Sequence, residues 1–184
     1  MGPAAVVEYE IDADDHLRWV GSHWAPFASA NDAPELAVPS APGAIWIYFV
    51  EDEVRHLWQL IVSRVREEVP FVQVPFRCDA PAVRRWFAMT VIAGKGGVVA
   101  FRSELLREER RDTVAVLQRG ARRDGALPAV RVCSWCNRAH DGDRWTAIEE
   151  VVRSRDLLGL ELSPGITHGI CESCAGSVLG TTDG

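Results

Sequence analysis

Four cysteines in the last third of the chain constrain it more than any other feature. Cys133-Ser134-Trp135-Cys136 is answered by Cys171-Glu172-Ser173-Cys174, two C-x-x-C pairs with 34 residues between them. A two-residue spacer lets both sulfurs of one tight turn reach one ion, and a second such turn completes a tetrahedron. Four thiolates leave no position for water, so the spacing predicts one structural zinc ion per chain, held by Cys133, Cys136, Cys171 and Cys174.

Other uses of these cysteines fit less well. Two disulfides need an oxidising compartment, yet the first twenty residues carry Glu8, Glu10, Asp12, Asp14 and Asp15 in place of a secretory signal. A cytoplasmic location is the expectation. A thioredoxin-type redox switch uses a single C-x-x-C and leaves the second pair unexplained. His168 and His140 lie close enough in sequence to replace one sulfur in a Cys3His site, and the sequence leaves that alternative open.

The residues before the cysteines alternate between strand and helix periods. Val7, Tyr9 and Ile11 face one way and Glu8, Glu10 and Asp12 the other, which predicts a half-buried strand. A turn at Ala13-Asp14-Asp15 leads into a partner strand over 16–20, with Leu17 and Trp19 on one side against Arg18. A short helix over 22–30 places Trp24 and Phe27 together, and the proline-rich stretch 31–43 reads as an irregular loop. After an apolar run at 45–50 come Val50, Val54, Leu57, Trp58, Ile61 and Val65, spaced as the buried stripe of an amphipathic helix. His56 falls on the opposite face.

Pro70 ends that helix. Three strands follow: 72–78 with Val72, Val74, Phe76 and Cys78 on one face, 84–92 with Phe87, Met89 and Val91 on one face, and 98–103 after the Gly94-Lys95-Gly96-Gly97 turn. Cys78 is expected to be a buried, inert thiol. The glycine turn lacks the G-x-x-x-x-G-K-[ST] spacing of a phosphate loop. The expectation is an α+β domain with a single five-stranded antiparallel sheet, then a charged, arginine-rich helical connector over 106–129, a zinc module over 130–178 and a frayed tail over 179–184. In the module, Trp145, Ile148, Val151 and Val152 are expected to form one face of a helix lying across the cysteine pairs.

Two stretches resemble known families. Cys133 to Cys174, with Trp145, Ile148, Glu149 and Thr167-His168-Gly169-Ile170-Cys171-Glu172-Ser173-Cys174, is similar to the small cysteine-rich tail on many bacterial two-component and PAS-type sensor proteins. It departs from that tail at 137–140 and at Glu172, where the family tends to have proline. The order of elements over 1–105 resembles a PAS domain, and Phe76-Arg77-Cys78-Asp79-Ala80-Pro81 with Arg85, Trp86 and Phe87 resembles the segment preceding such tails. The resemblance implies a sheet whose concave face is closed by the intervening helices. Trp24, Phe27, Tyr48, Phe49, Leu57, Ile61, Phe87 and Met89 would converge there, either around a small, largely apolar ligand or as a packed core. His56, on the polar face of the long helix, is not placed to hold haem.

Composition narrows the function classes. A net charge of −6 argues against a nucleic-acid partner, and no apolar run reaches the ~18 residues of a membrane span. The favoured expectation is a non-enzymatic, intracellular sensory or regulatory module, acting on an unidentified protein partner or by self-association. The alternatives are a ligand-free interaction scaffold and, further off, a zinc-dependent enzyme or a redox switch. His16, His23, Glu51 and Asp79 make no recognisable acid-base set.

Overall fold

The computed structural model describes residues 6–30, 52–118, 123–157 and 163–182. The expected loop over 31–43 and the apolar run with Tyr48 and Phe49 lie outside them.

The alternating segments form one antiparallel sheet in the order β2-β1-β5-β4-β3, built from β1 (Val6–Ile11), β2 (Leu17–Val20), β3 (Phe71–Arg77), β4 (Val83–Ala93) and β5 (Val99–Arg110). Its inner face carries Val7, Ile11, Val72, Val74, Phe87, Met89, Val91, Val99 and Phe101, all buried. Their alternation with less buried neighbours, broken at Ala88, follows from the two-residue period of a pleated strand. Tyr9 stacks on Phe101 with ring centroids 4.5 Å apart, extending the aromatic core toward the hairpin. Trp19 departs from expectation. A register shift makes Ile11 pair with Leu17 while Glu10 pairs with Trp19, so Leu17 is buried and Trp19 turns to the outer, solvated face.

Among the described residues, two helices lie between β2 and β3: α1 (Trp24–Ala30) and α2 (Asp52–Glu67). Helix α2 buries Val54, Leu57, Ile61, Val62 and Val65 against the sheet, and His56 is exposed as the helical spacing predicts. Arg66 near its end ties two turns together. Its Nε donates to the Gly97 carbonyl at 3.0 Å, and its Nη2 donates to the Asp12 carbonyl at 2.7 Å and to Asp15 Oδ1 at 2.8 Å. The glycine turn between β4 and β5 is therefore a packing feature. Gly97 has φ +80°, and a Cβ there would approach Ala13 Cβ to 2.9 Å, so glycine is required on both counts.

The expected helical connector is not helical among its described residues. Strand β5 runs on to Arg110, pairing Trp86 with Arg107, Arg85 with Glu108 and Arg84 with Glu109, and a single 3-10 turn follows at Ala115–Leu117. The opposed charges of neighbouring strands supply the cross-strand pairs that keep this polar stretch extended.

The last third forms β6 (Arg123–Asp124), β7 (Val130–Cys133), β8 (Arg138–Asp141), β9 (Arg144–Ala147), α3 (Ile148–Ser154), β10 (Ser163–Pro164), β11 (Ile166–Gly169) and α4 (Glu172–Thr182). Four of its strands make a sheet in the order β11-β7-β8-β9, and β6 pairs with β10. Trp145 belongs to β9 rather than to the helix, because its pairing with His140 holds it extended. Helix α3 packs Ile148, Val151 and Val152 on Val130, Val132 and Ala139 and on Val114 and Val116, so it covers this small sheet and not the cysteines. Helix α4 continues to Thr182, past the expected frayed boundary at 179. No helix among the described residues is long and apolar enough to cross a membrane.

The core of the five-stranded sheet does not end at β5. Cys133, Trp135 and Cys171 belong to the same buried cluster as Ile11, Leu57, Ile61, Val91 and Phe101. Phe101, 1% exposed at the centre of that cluster, is the side chain whose loss should cost most. Phe101→Ala should lower unfolding free energy by about 3–5 kcal/mol, whereas His56→Ala should change it by less than about 0.5 kcal/mol, both read from urea unfolding midpoints.

Candidate metal centre

The two cysteine pairs are brought together by backbone pairing between distant strands. Strands β7 and β11 run parallel, with Val132 opposite His168 and Cys133 opposite Gly169. The Ser134 N–H donates to the Gly169 carbonyl at 2.9 Å, which continues this alignment into the first turn. The Asn137 N–H closes that turn on the Cys133 carbonyl at 2.9 Å, and Asn137 takes a φ of 55°, which asparagine tolerates. On the other side, α4 begins directly after Cys171, and the Ala175 N–H donates to the Cys171 carbonyl at 2.9 Å. Cys174 thus lies in the first turn of a helix, on the same side as Cys171.

The four sulfurs all lie within 4.8 Å of one another. Cys136 Sγ and Cys171 Sγ are 3.8 Å apart. A tetrahedron with sulfurs about 2.3 Å from its centre has edges of about 3.8 Å, so the spacing fits a zinc-sized ion. The Cys171 N–H points to Cys133 Sγ at 3.5 Å, the type of contact that steadies a thiolate. Cys133 and Cys171 are buried, and Cys136 and Cys174 are half-buried.

Crowding splits the acidities of the thiols. Hydrogen bonds from Cys136 and Cys174 hold Cys133 far below the ordinary thiol range. Cys136 is pushed up to about 12 by donating to Cys133, and Cys174 is pushed up by donating to Cys133 and Cys136. Four thiolates converging on one point repel one another, so holding all four here requires a cation as counter-charge. Neither histidine alternative is part of the cluster. His140 meets the Trp145 ring edge-on at 5.0 Å, and His168 is a strand residue of β11.

Trp135, between the first two cysteines, connects the centre to the large sheet. Its ring stacks on Trp58 of α2 with centroids 5.0 Å apart, and its carbonyl accepts the Arg77 N–H at 2.8 Å at the end of β3. The sequence places Trp135 in a metal turn but carries no sign of this contact.

A second junction, also unread in the sequence, is ionic. Asp79, 1% exposed, accepts from Arg77 and lies 3.2 Å from Arg111, itself 5% exposed. Glu149 Oε1, at the start of α3, accepts from Arg84 at 2.8 Å and from Arg111 at 2.7 Å. Arg111 also donates to the carbonyls of Ala80 at 2.9 Å and Pro81 at 3.3 Å. The turn after β3 is thereby bound to the end of β5 and to the cysteine-bearing part of the chain. Cys78, in that turn, is half-buried, and desolvation raises its thiol above the ordinary range against the opposing effect of Arg85.

Of the proposed pocket residues, Leu57, Ile61 and Met89 are members of the buried cluster. Phe27 meets Phe87 edge-on at 5.9 Å, Trp24 meets Tyr9 edge-on at 5.4 Å, and Tyr48 and Phe49 lie outside the described residues. Asp12, Asp14 and His16 also come together, in the β1–β2 turn, where Asp12 Oδ1 accepts the N–H groups of Asp14 and His16 at 2.9 Å each. These bonds explain the cluster as turn chemistry. Comparison of the chain with protein-family models, with curated proteins and with solved structures gives no match.

The Glu149 junction carries a pH dependence. Burial alone would raise its carboxyl, but hydrogen bonds from Arg84, from its own backbone N–H and from Arg111 outweigh burial and hold it at about 2, below the ordinary 4.5. A carboxylate lowered on folding adds stability that is complete above 4.5 and is lost as the pH falls through about 2. Glu149→Gln should therefore cost about 1–3 kcal/mol at neutral pH. It should also flatten the acid dependence of the urea midpoint between those two values. An acid dependence identical to that of the parent would refute the assignment.

Proposed function

We propose that the chain is a non-enzymatic sensory or regulatory module with a PAS-like sheet, holding one structural zinc ion on Cys133, Cys136, Cys171 and Cys174 and acting by binding a small ligand or a protein partner in the cytoplasm. The observation that carries this reading is the tetrahedral spacing of the four sulfurs together with the packing of Trp135 into the core of the large sheet. An all-thiolate donor set favours a structural ion over a catalytic one, because a catalytic zinc keeps one position for water or substrate. Bound there, zinc would supply the charge that allows all four thiolates to form, and with it the cross-link between β7 and α4. The five-stranded antiparallel sheet, with α1 and α2 inserted between its second and third strands and packed on one face, supports the PAS-like part.

A second reading, an interaction scaffold without a ligand, is favoured by one feature of the outer sheet face. Trp19 pairs with Glu10, Glu10 with Ala100, Ala100 with Ile92 and Ile92 with Phe71, giving one row across all five strands. Trp19, Ile92 and Phe71 on that row are exposed apolar side chains, of a kind suited to a protein partner.

Metal analysis of the purified chain should find one zinc per chain, lost in the Cys171→Ser/Cys174→Ser double variant. Since Trp135 and Cys171 share the core with α2, chelation should lower the melting temperature of the whole chain and not of the cysteine-bearing part alone. A metal-free protein with two native disulfides would refute the zinc centre.

A further inference from the structure

We propose that the groove between β3, the start of β4 and α4 binds an uncharged planar aromatic molecule, seated against the wall that the cysteine knuckles form. The proposal rests on the reading above, since that wall needs the knuckles in place. The groove has a volume of about 550 Å³, within the range of small-molecule sites. It is distinct from the space over the sheet in which sequence analysis expects a ligand, sharing only Phe87 with that set.

Its apolar surface is aromatic. Phe76 stacks on Phe87 with centroids 5.2 Å apart, and Trp135 faces the same groove from the first knuckle. A β-bulge supplies the rim. Phe87 pairs with Leu105 and Trp86 with Arg107, so Leu106 is the extra residue of β5, and it stands 63% exposed at the groove's edge. An exposed leucine beside ring faces gives a flat apolar molecule something to lie on and something to be covered by.

Charge sets the ligand class. Arg77 and Arg138 border the groove, and Arg77 is already committed to Asp79 and to the face of Trp86, 5.2 Å from its guanidinium. Cys136 and Cys174 line the same groove, and the Arg138 N–H donates to Cys136. Four thiolates around one divalent ion retain an excess of negative charge, so the groove's sulfurs disfavour an anion and its guanidinium groups disfavour a cation. A neutral ring meets neither cost. The Gln73 amide and the Ser177 hydroxyl, both on the border, can meet a single ring N–H or O–H.

The test uses the zinc-loaded full chain and three probes of one shape: indole, indole-3-acetate and tryptamine, measured by equilibrium dialysis with saturation-transfer NMR. Indole should bind one to one and saturably, with both charged relatives weaker by about tenfold or more. Leu106→Glu, which places a charge on the rim, and Ser177→Trp, which fills the groove from α4, should each weaken indole by about tenfold or more at unchanged zinc content and melting temperature. Absence of saturable indole binding at one zinc per chain would overturn the proposal, as would tighter binding of either charged probe or indifference to both substitutions. Indole binding with these sensitivities in a chain that lacks metal would support the groove and overturn the zinc reading instead.

Discussion

The parallel pairing of β7 with β11 is the contact on which the rest of the structure depends. It places Cys133 opposite Gly169 and so draws together two sulfur pairs that the chain separates by 34 residues. Closing so long a loop for the sake of four strand residues is unfavourable in itself, and the small core beneath it, centred on Val130, Val132, Ala139, Ile148 and Val151, offers limited burial. Four thiols converging on one point supply what the core lacks. A metal bound there would turn a weak strand pair into a fixed one, because the free energy of coordination is available only to the folded arrangement.

The same turn that carries Cys133 and Cys136 also completes the larger sheet. Trp135 lies against Trp58, and its carbonyl takes the Arg77 N–H at the end of edge strand β3, so the knuckle caps part of an edge that would otherwise present unpaired backbone groups. Cysteine cluster and sheet core are therefore one packing problem. A displacement of the sulfurs moves Trp135, and Trp135 has neighbours on α2 and β3.

The ionic junction of Asp79, Arg111, Arg84 and Glu149 is a second tie, reached from the same end of β3 through Arg77. Three arginines, counting Arg77, and two carboxylates meet where the β3–β4 turn, the end of β5 and the start of α3 come together. Burying Asp79 and Arg111 is costly, and the cost is offset only when their bonds are completed. Such a joint adds little net stability compared with apolar packing, but it tolerates a narrow range of geometries. Together the aromatic contact and the ionic junction leave the cysteine-bearing part little freedom against the sheet.

The sequence by itself determined most local elements and the four cysteines whose cluster could hold a metal ion. Alternation in β1, β3 and β4, the stripe of α2 and the two-residue cysteine spacers are near-neighbour patterns, and each is set by strand pleat, helical turn or the reach of a tight turn. Tertiary structure alone decided the outward turn of Trp19, which needed a register shift between partners, and the extension of β5 through 104–110. That polar stretch has no buried face to announce a strand, and its order comes from charges on β4. Trp145 is a different case: its spacing to Ile148 fits a helix face as well as a strand end, and only its pairing with His140 sets it in β9. The contacts that join the two sheets, Trp58 with Trp135 and Arg84 and Arg111 with Glu149, link residues 38 to 77 positions apart. No local periodicity records such pairs, since they exist only once the chain has folded back on itself.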